Sequence, residues 1–148
     1  MKLLLDTNIL IDYYLRRMPH WNDVSRIVAA GFFGDVQIWA SAKSYTDVFY
    51  VAGKLVDSAE LQKAFSKSFE LIELCSIDSE DVQHAAQLAW PDFEDCLVNI
   101  AAEKVKADAI VTRDATGFER SSVKAMHPAE VLEILSSKHG LSYDLLAV

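Results

Sequence analysis

Two cysteines in 148 residues are too few for a disulfide framework, and Cys75 and Cys96 are too far apart to frame a zinc site. Both read as small buried hydrophobes, although a thiol nucleophile at Cys96 beside Asp95 is the functional alternative. The four histidines, His20, His84, His127 and His139, lack ligand spacing, which argues against zinc or iron. No glycine-rich phosphate loop is present, which disfavours a nucleotide-binding NTPase or a dinucleotide enzyme. No apolar run approaches the ~18 to 20 residues of a membrane span. Leu3-Leu4-Leu5 before Asp6 falls well short of a signal-peptide core, so the expected location is the cytoplasm, without a membrane partner. No repeat, low-complexity tract or linker divides the chain, and residues 1–148 are expected to form one domain.

Basic residues are also in short supply. The net charge is −8, at first sight a poor match for nucleic acid. The excess is local, however. Residues 57–95 hold ten acidic side chains against Lys63 and Lys67 alone, and the remainder is balanced. Arg16, Arg17, Lys43, Lys54, Lys104, Lys106, Arg113, Arg120 and Lys124 lie outside that segment, so a basic rim is permitted.

Hydrophobic residues make up 51% of the chain, enough for a filled core or an apolar face kept for a partner or a second copy. Their periodicity alternates between strand and helix. Short apolar strands are expected at Lys2–Leu5, Val36–Ala40, Phe69–Cys75, Ala109–Thr112 and Val123–Met126. Helices are expected between them: from an Asn8 cap to about Arg17, from Asn22 to Gly31, from Ser41 onward, over 58–68, from Ser79 to about Trp90, over 93–106, and from Pro128 to a stop at Gly140. In the third helix Tyr45, Val48, Phe49, Ala52, Leu55 and Val56 form an apolar stripe. Trp21, Phe32, Phe33 and Trp39 read first as core, and the tail from Leu141 to Val148 is apolar enough to dock. Strands separated by helices imply a mainly parallel sheet covered on both faces, with a ligand site beyond the strands' carboxyl ends.

Four aspartates draw attention against that frame. Asp6 and Asp114 follow apolar strands, where an unpaired carboxylate is costly to bury. Asp95 lies in Asp92-Phe93-Glu94-Asp95 at a helix start, with Asn99 one turn later on its face. Asp47 sits off the apolar stripe of its helix, four residues after Lys43. Each admits a bland reading as turn, cap or surface residue. Converging on one end of a parallel sheet, they would repel one another, and Mg²⁺ or Mn²⁺ is the natural remedy for oxygen-only ligands. Thr112 can fix a carboxylate rotamer, and Arg113 can meet a phosphate or sit on a solvated rim.

These motifs resemble the PIN domain family, which includes VapC-like toxin ribonucleases. Leu3-Leu4-Leu5-Asp6-Thr7-Asn8 looks like its opening motif, and Ser41 to Asp47 keeps the interval from a strand-end serine to the second acid. Asp92-Phe93-Glu94-Asp95 running into Ala101-Ala102 resembles the third motif. Val111-Thr112-Arg113-Asp114 with Phe118 resembles the fourth, and Pro128-Ala129-Glu130 looks like the final helix. The resemblance covers nearly the whole chain. It implies a three-layer α/β/α sandwich and a site of Asp6, Asp47, Asp95 and Asp114. One or two Mg²⁺ or Mn²⁺ ions would be held by Asp6, Asp95 and Asp114, with Asn8, Asn99 and Thr112 in support. It further implies metal-assisted hydrolysis of single-stranded RNA, a homodimer, and an antitoxin partner if the protein is a toxin. Asp47 stands where the family usually has glutamate; its shorter side chain would reach a metal through water or contribute less. A second reading is a PIN-like binding or assembly module without turnover. A third, phosphoryl transfer onto Asp6, is weakened by Asn8 standing where that chemistry wants another aspartate.

Overall fold

In the computed structural model, which describes residues 1–140, 142 and 143, five strands form one all-parallel sheet in the order β3-β2-β1-β4-β5. The strands are β1 (Lys2–Leu5), β2 (Gln37–Ser41), β3 (Ile72–Cys75), β4 (Ala109–Val111) and β5 (Lys124–Met126). The helices are α1 (Thr7–Leu15), α2 (His20–Phe32), α3 (Ser44–Ala52), α4 (Ser58–Ser68), α5 (Ser79–Leu88), α6 (Phe93–Lys104) and α7 (Pro128–His139). A 3₁₀ turn, Ala115–Phe118, follows β4. This is the expected α/β architecture.

The central strand explains the layering. Successive side chains of a strand point to opposite faces. Leu3 and Leu5 accordingly join the larger core beneath α1, α2, α3, α4 and α7, while Leu4 joins Val98, Ala101 and Ala102 of α6 on the other face. All three leucines are fully buried, which is why β1 reads as an unbroken apolar run rather than an alternation. Strand order reverses between β1 and β4, and the chain leaves them toward opposite faces, α1 packing on one core and Phe118 after β4 on the other. This is the place where such sheets form a crevice.

Helix ends follow their capping chemistry, with corrections to the expected bounds. Asp6, not Asn8, caps α1; Asn8 is the helix's second residue and is exposed. Ser41 closes β2 instead of opening α3, which starts three residues later. Asp78 and Asp81 form a reciprocal capping box on α5. Pro128 begins α7, and Gly140 ends it at φ +64°, a left-handed backbone that favours glycine. Because α3 ends at Ala52, only part of its apolar stripe is covered. Tyr45, Val48 and Ala52 are buried, whereas Phe49, Leu55 and Val56 are exposed.

Phe32 and Phe33 are exposed rather than core. Phe32 and Trp21 line a groove of about 630 Å³ between α1, α2 and α4. Of the apolar tail, Tyr143 is buried and its hydroxyl donates to Asp35 Oδ2 at 2.6 Å. Leu141 and residues 144–148 lie outside the described residues. Among the described residues no helix is long and apolar enough to cross a membrane.

Candidate metal centre

The crevice between β1 and β4 is where carboxylates gather. Asp6 directly follows β1, and its N–H donates to Val111 O at 3.0 Å, so it is held in sheet geometry. Its side chain is buried. Oδ1 accepts from the Thr7 N–H at 2.8 Å, and Oδ2 accepts from Thr112 Oγ1 at 2.9 Å. The Thr112 hydroxyl in turn accepts the Asp114 N–H at 3.0 Å, so one threonine ties the β4 exit to the carboxylate of the β1 exit.

The first turn of α6 brings the second and third carboxylates. Asp92 caps that helix by accepting the Asp95 N–H at 2.9 Å, which points Glu94 and Asp95 toward the crevice. Glu94 Oε1 accepts from the Thr7 hydroxyl, which also hydrogen-bonds the Ser44 hydroxyl at 2.9 Å. Oxygens of Asp6, Glu94 and Asp95 all lie within 4.8 Å of one another, the one such group among the described residues. Glu94 is absent from the site expected from sequence.

Electrostatics mark the cluster as short of positive charge. Burial lifts the Asp6 carboxyl above the usual range, assisted by the charges of Asp92 and Asp114 and opposed by its bonds from Thr112 and Thr7. Burial likewise raises Glu94, with Asp6 and Asp47 adding to the effect and Thr7 and Lys43 opposing it. Asp95 is pushed up to about 7, first by burial and then by Asp6, Asp92, Glu94 and Asp114. Oxygen-only donors, one of them buried, suit a hard divalent cation such as Mg²⁺ or Mn²⁺.

A pH dependence follows. The unfolded carboxylates titrate near pH 4, whereas the folded ones titrate higher, Asp95 at about 7. The metal-free folded state therefore binds more protons than the unfolded chain across that window. Its stability must fall as pH rises through it. Melting followed by circular dichroism in EDTA is expected to give a higher Tm at pH 5.5 than at pH 8, and saturating Mg²⁺ should recover the loss at pH 8. Equal Tm values at the two pH values would contradict this charge balance.

The remaining expected residues fall into place differently. Asp114 is exposed at the rim, accepting from Thr116 Oγ1 at 2.5 Å, close enough for its charge to act on Asp6 and Asp95. The turn after it passes over the cluster at Gly117, where a Cβ would stand 2.5 Å from Asp95 Oδ2 and 3.7 Å from Asp114 Oδ2. Asp47 is engaged by Lys43, whose Nζ donates to Oδ2 at 2.5 Å, and stands outside the three-carboxylate group. Asn99 is buried, but its amide accepts from Ser121 Oγ at 2.5 Å and donates to Glu103 at 3.3 Å. It thus anchors the segment entering β5.

Arg113 is partly exposed and engaged by a buried carboxylate. It donates from Nε to Asp12 Oδ2 at 2.7 Å and from Nη2 to Oδ1 at 3.3 Å, and Asp12 is fully buried. Cys96 is also fully buried, with its thiol pushed up by burial, which suits the packing role rather than the nucleophile.

Comparison with known proteins places this fold in a family. Residues 2–116 match the family model described as PIN domain. The fold is similar to a chain of the VapBC2 structure from Rickettsia felis, bound to a DNA fragment from their promoter. The TM-score is 0.64 at 15% identity, over 86% of this chain and 98% of that one. It is also similar to a chain of VapBC-1 from nontypeable Haemophilus influenzae, with a TM-score of 0.64 and 17% identity, over 87% and 99% of the two chains. A chain of FitAcB from Neisseria gonorrhoeae gives a TM-score of 0.57 at 17% identity, over 86% and 98%. No curated protein matches. With the family match spanning most of the sequence and the parallel sheet carrying its acids at the β1–β4 switch, the chain belongs to the PIN domain family.

Proposed function

We propose that this protein is a Mg²⁺- or Mn²⁺-dependent endoribonuclease that hydrolyses single-stranded RNA, with residues 1–148 forming one nuclease domain. The observation that carries this reading is the three-carboxylate group of Asp6, Glu94 and Asp95 at the strand-order switch. Asp6, Glu94 and Asp95 would hold the cation, with Asp114 at the rim completing the acidic set. When bound, the cation supplies Lewis acidity at the phosphodiester. The chain's own residues supply order. Thr112 fixes the Asp6 rotamer, Thr7 fixes Glu94, and the Asp92 cap sets the direction of Asp95. Asp47, tied to Lys43, contributes less than Glu94 in this scheme.

The solved neighbours include VapBC complexes, which supports the further reading that the chain is the toxin of a toxin–antitoxin pair, acting in the cytoplasm as a homodimer. Exposed Phe32, Phe49, Leu55 and Val56 offer apolar surface for such partners.

The test is Mn²⁺ titration by calorimetry alongside cleavage of a labelled single-stranded RNA. Glu94→Gln is expected to weaken Mn²⁺ by about 10- to 100-fold and cleavage at least in proportion, whereas Asp47→Asn changes either by less than about 10-fold. A wild-type protein that binds neither Mg²⁺ nor Mn²⁺ would favour the non-catalytic module. Retained activity in Glu94→Gln with loss in Asp47→Asn would reverse the assignment.

A further inference from the structure

An acidic crevice that must receive a polyanion needs a cation of its own, and the structure limits where it can come from. Arg113, adjacent to the site in sequence, is committed to Asp12 by two hydrogen bonds. Lys43 is placed otherwise. It occupies the N-cap position of α3, and it makes no side-chain capping bond there. Its neighbour Ser44 bonds Thr7 Oγ1 at 2.9 Å, and Thr7 bonds Glu94, so the start of α3 is two hydrogen bonds from the carboxylate cluster. The ammonium charge acts on Glu94.

Helix physics gives no reason for a lysine at that position. N-caps favour Ser, Thr, Asp or Asn. The positive end of the helix repels a cation, and a Lys-to-Asp order along i,i+4 is the poorer orientation for an ion pair. Lys43 and Asp47 are both 38% exposed, where such a pair adds little stability. Yet the pair draws the Lys43 ammonium to within 2.5 Å of Asp47 Oδ2, and the charges of both residues act on Glu94.

We infer that Lys43 is the substrate-phosphate-binding residue of this site, and that Asp47 is the positioning residue that holds its ammonium at the mouth of the Asp6–Glu94–Asp95 cluster. This deepens the ribonuclease reading and rests on it for the identity of the ligand as single-stranded RNA. It also accounts for the aspartate at position 47. A side chain of that length meets Lys43 on its own helix, leaving the cluster to Glu94.

The probe is a fluorescein-labelled single-stranded decauridylate. Its binding is followed by anisotropy across a salt series with the full chain and with Ca²⁺ replacing Mg²⁺, and cleavage is measured separately with Mg²⁺. Lys43→Gln is expected to weaken binding about 5- to 10-fold near 0.1 M salt and to lower the slope of log K against log salt by about 0.7, the value for one phosphate contact on a single strand. Lys43→Arg should retain both slope and affinity, and Mn²⁺ affinity should not fall in either variant. A purely structural role would lower Tm and leave the salt slope alone.

Unchanged slope and affinity in Lys43→Gln overturns the inference, as does a wild-type protein that does not bind the probe. Wild-type cleavage with no effect of Lys43→Gln overturns it while leaving the ribonuclease reading standing. Lys43-dependent binding without cleavage by the wild type supports it and removes turnover instead.

Discussion

Asp6→Asn is expected to lower RNA cleavage about 10³-fold and to weaken divalent-cation binding while leaving the fold intact, and to raise the metal-free Tm at pH 8. The three parts of that result have separate causes. Asparagine caps a helix as well as aspartate does, so Oδ1 can still accept the Thr7 N–H that starts α1. The new Nδ2 would face Thr112 Oγ1, which accepts one hydrogen bond already and has a second lone pair to offer. The network therefore survives with its direction reversed at one contact. Removing the charge also lightens the load on Asp95, to which Asp6 contributes the largest charge effect after burial, so the folded state loses a repulsion. What weakens is the hold on the cation. Lewis-acid stabilisation is worth several kcal/mol, and about 1.4 kcal/mol is tenfold in rate, so a loss of about 10³-fold in kcat/KM is expected. Activity within tenfold of wild type, measured on the same labelled RNA, would remove Asp6 from the reaction.

Asp6 was legible in the sequence because a carboxylate abutting an apolar run is costly to bury unpaired, which set function beside the capping role it also fills. The same logic located β1, β4 and their helices to within a residue or two, since buried parallel strands are continuous apolar runs with few competing readings. Glu94 was hidden by its neighbours. Three acids in Asp92-Phe93-Glu94-Asp95 all suit a helix start, and sequence alone does not say that Asp92 caps while Glu94 turns inward to Thr7. Only the meeting of α1 with α6 decides that. Gly117 was equally silent, because its small size matters only against Asp95 across the turn. The exposure of Phe32 and Phe33 ran against composition: aromatic residues at the end of α2 suggest core, but the buried face of that helix is Val24, Ile27, Val28 and Ala30, and Phe32 lines an open groove instead. The partnership of Asp12 with Arg113 joins residues 101 positions apart, and nothing local predicts it.

That partnership carries the second large effect. Arg113→Ala leaves the carboxylate of Asp12, fully buried at 0% exposure, without its cation and without its two donors. Breaking a buried pair in this way typically costs about 3–5 kcal/mol, and in a chain of this size each kcal/mol is about 2–4 °C of Tm. The open side of Arg113, 28% exposed, lets some water reach the gap, which favours the lower end of that range. A Tm fall of about 6–12 °C by calorimetry is the expected outcome. Replacing both partners, Asp12→Leu with Arg113→Met, should restore much of it, since no charge is then left unpaired. The comparison also separates stability from chemistry. Arg113 sits between Thr112, which orients Asp6, and Asp114 at the rim, so the ion pair fixes the loop that presents both. If the pair serves only stability, the double variant regains cleavage together with Tm. If it also sets the loop, the double variant melts near wild type but cleaves more slowly at a temperature where both are folded. A Tm unchanged in Arg113→Ala would mean that this buried contact does not hold the β4 exit in place.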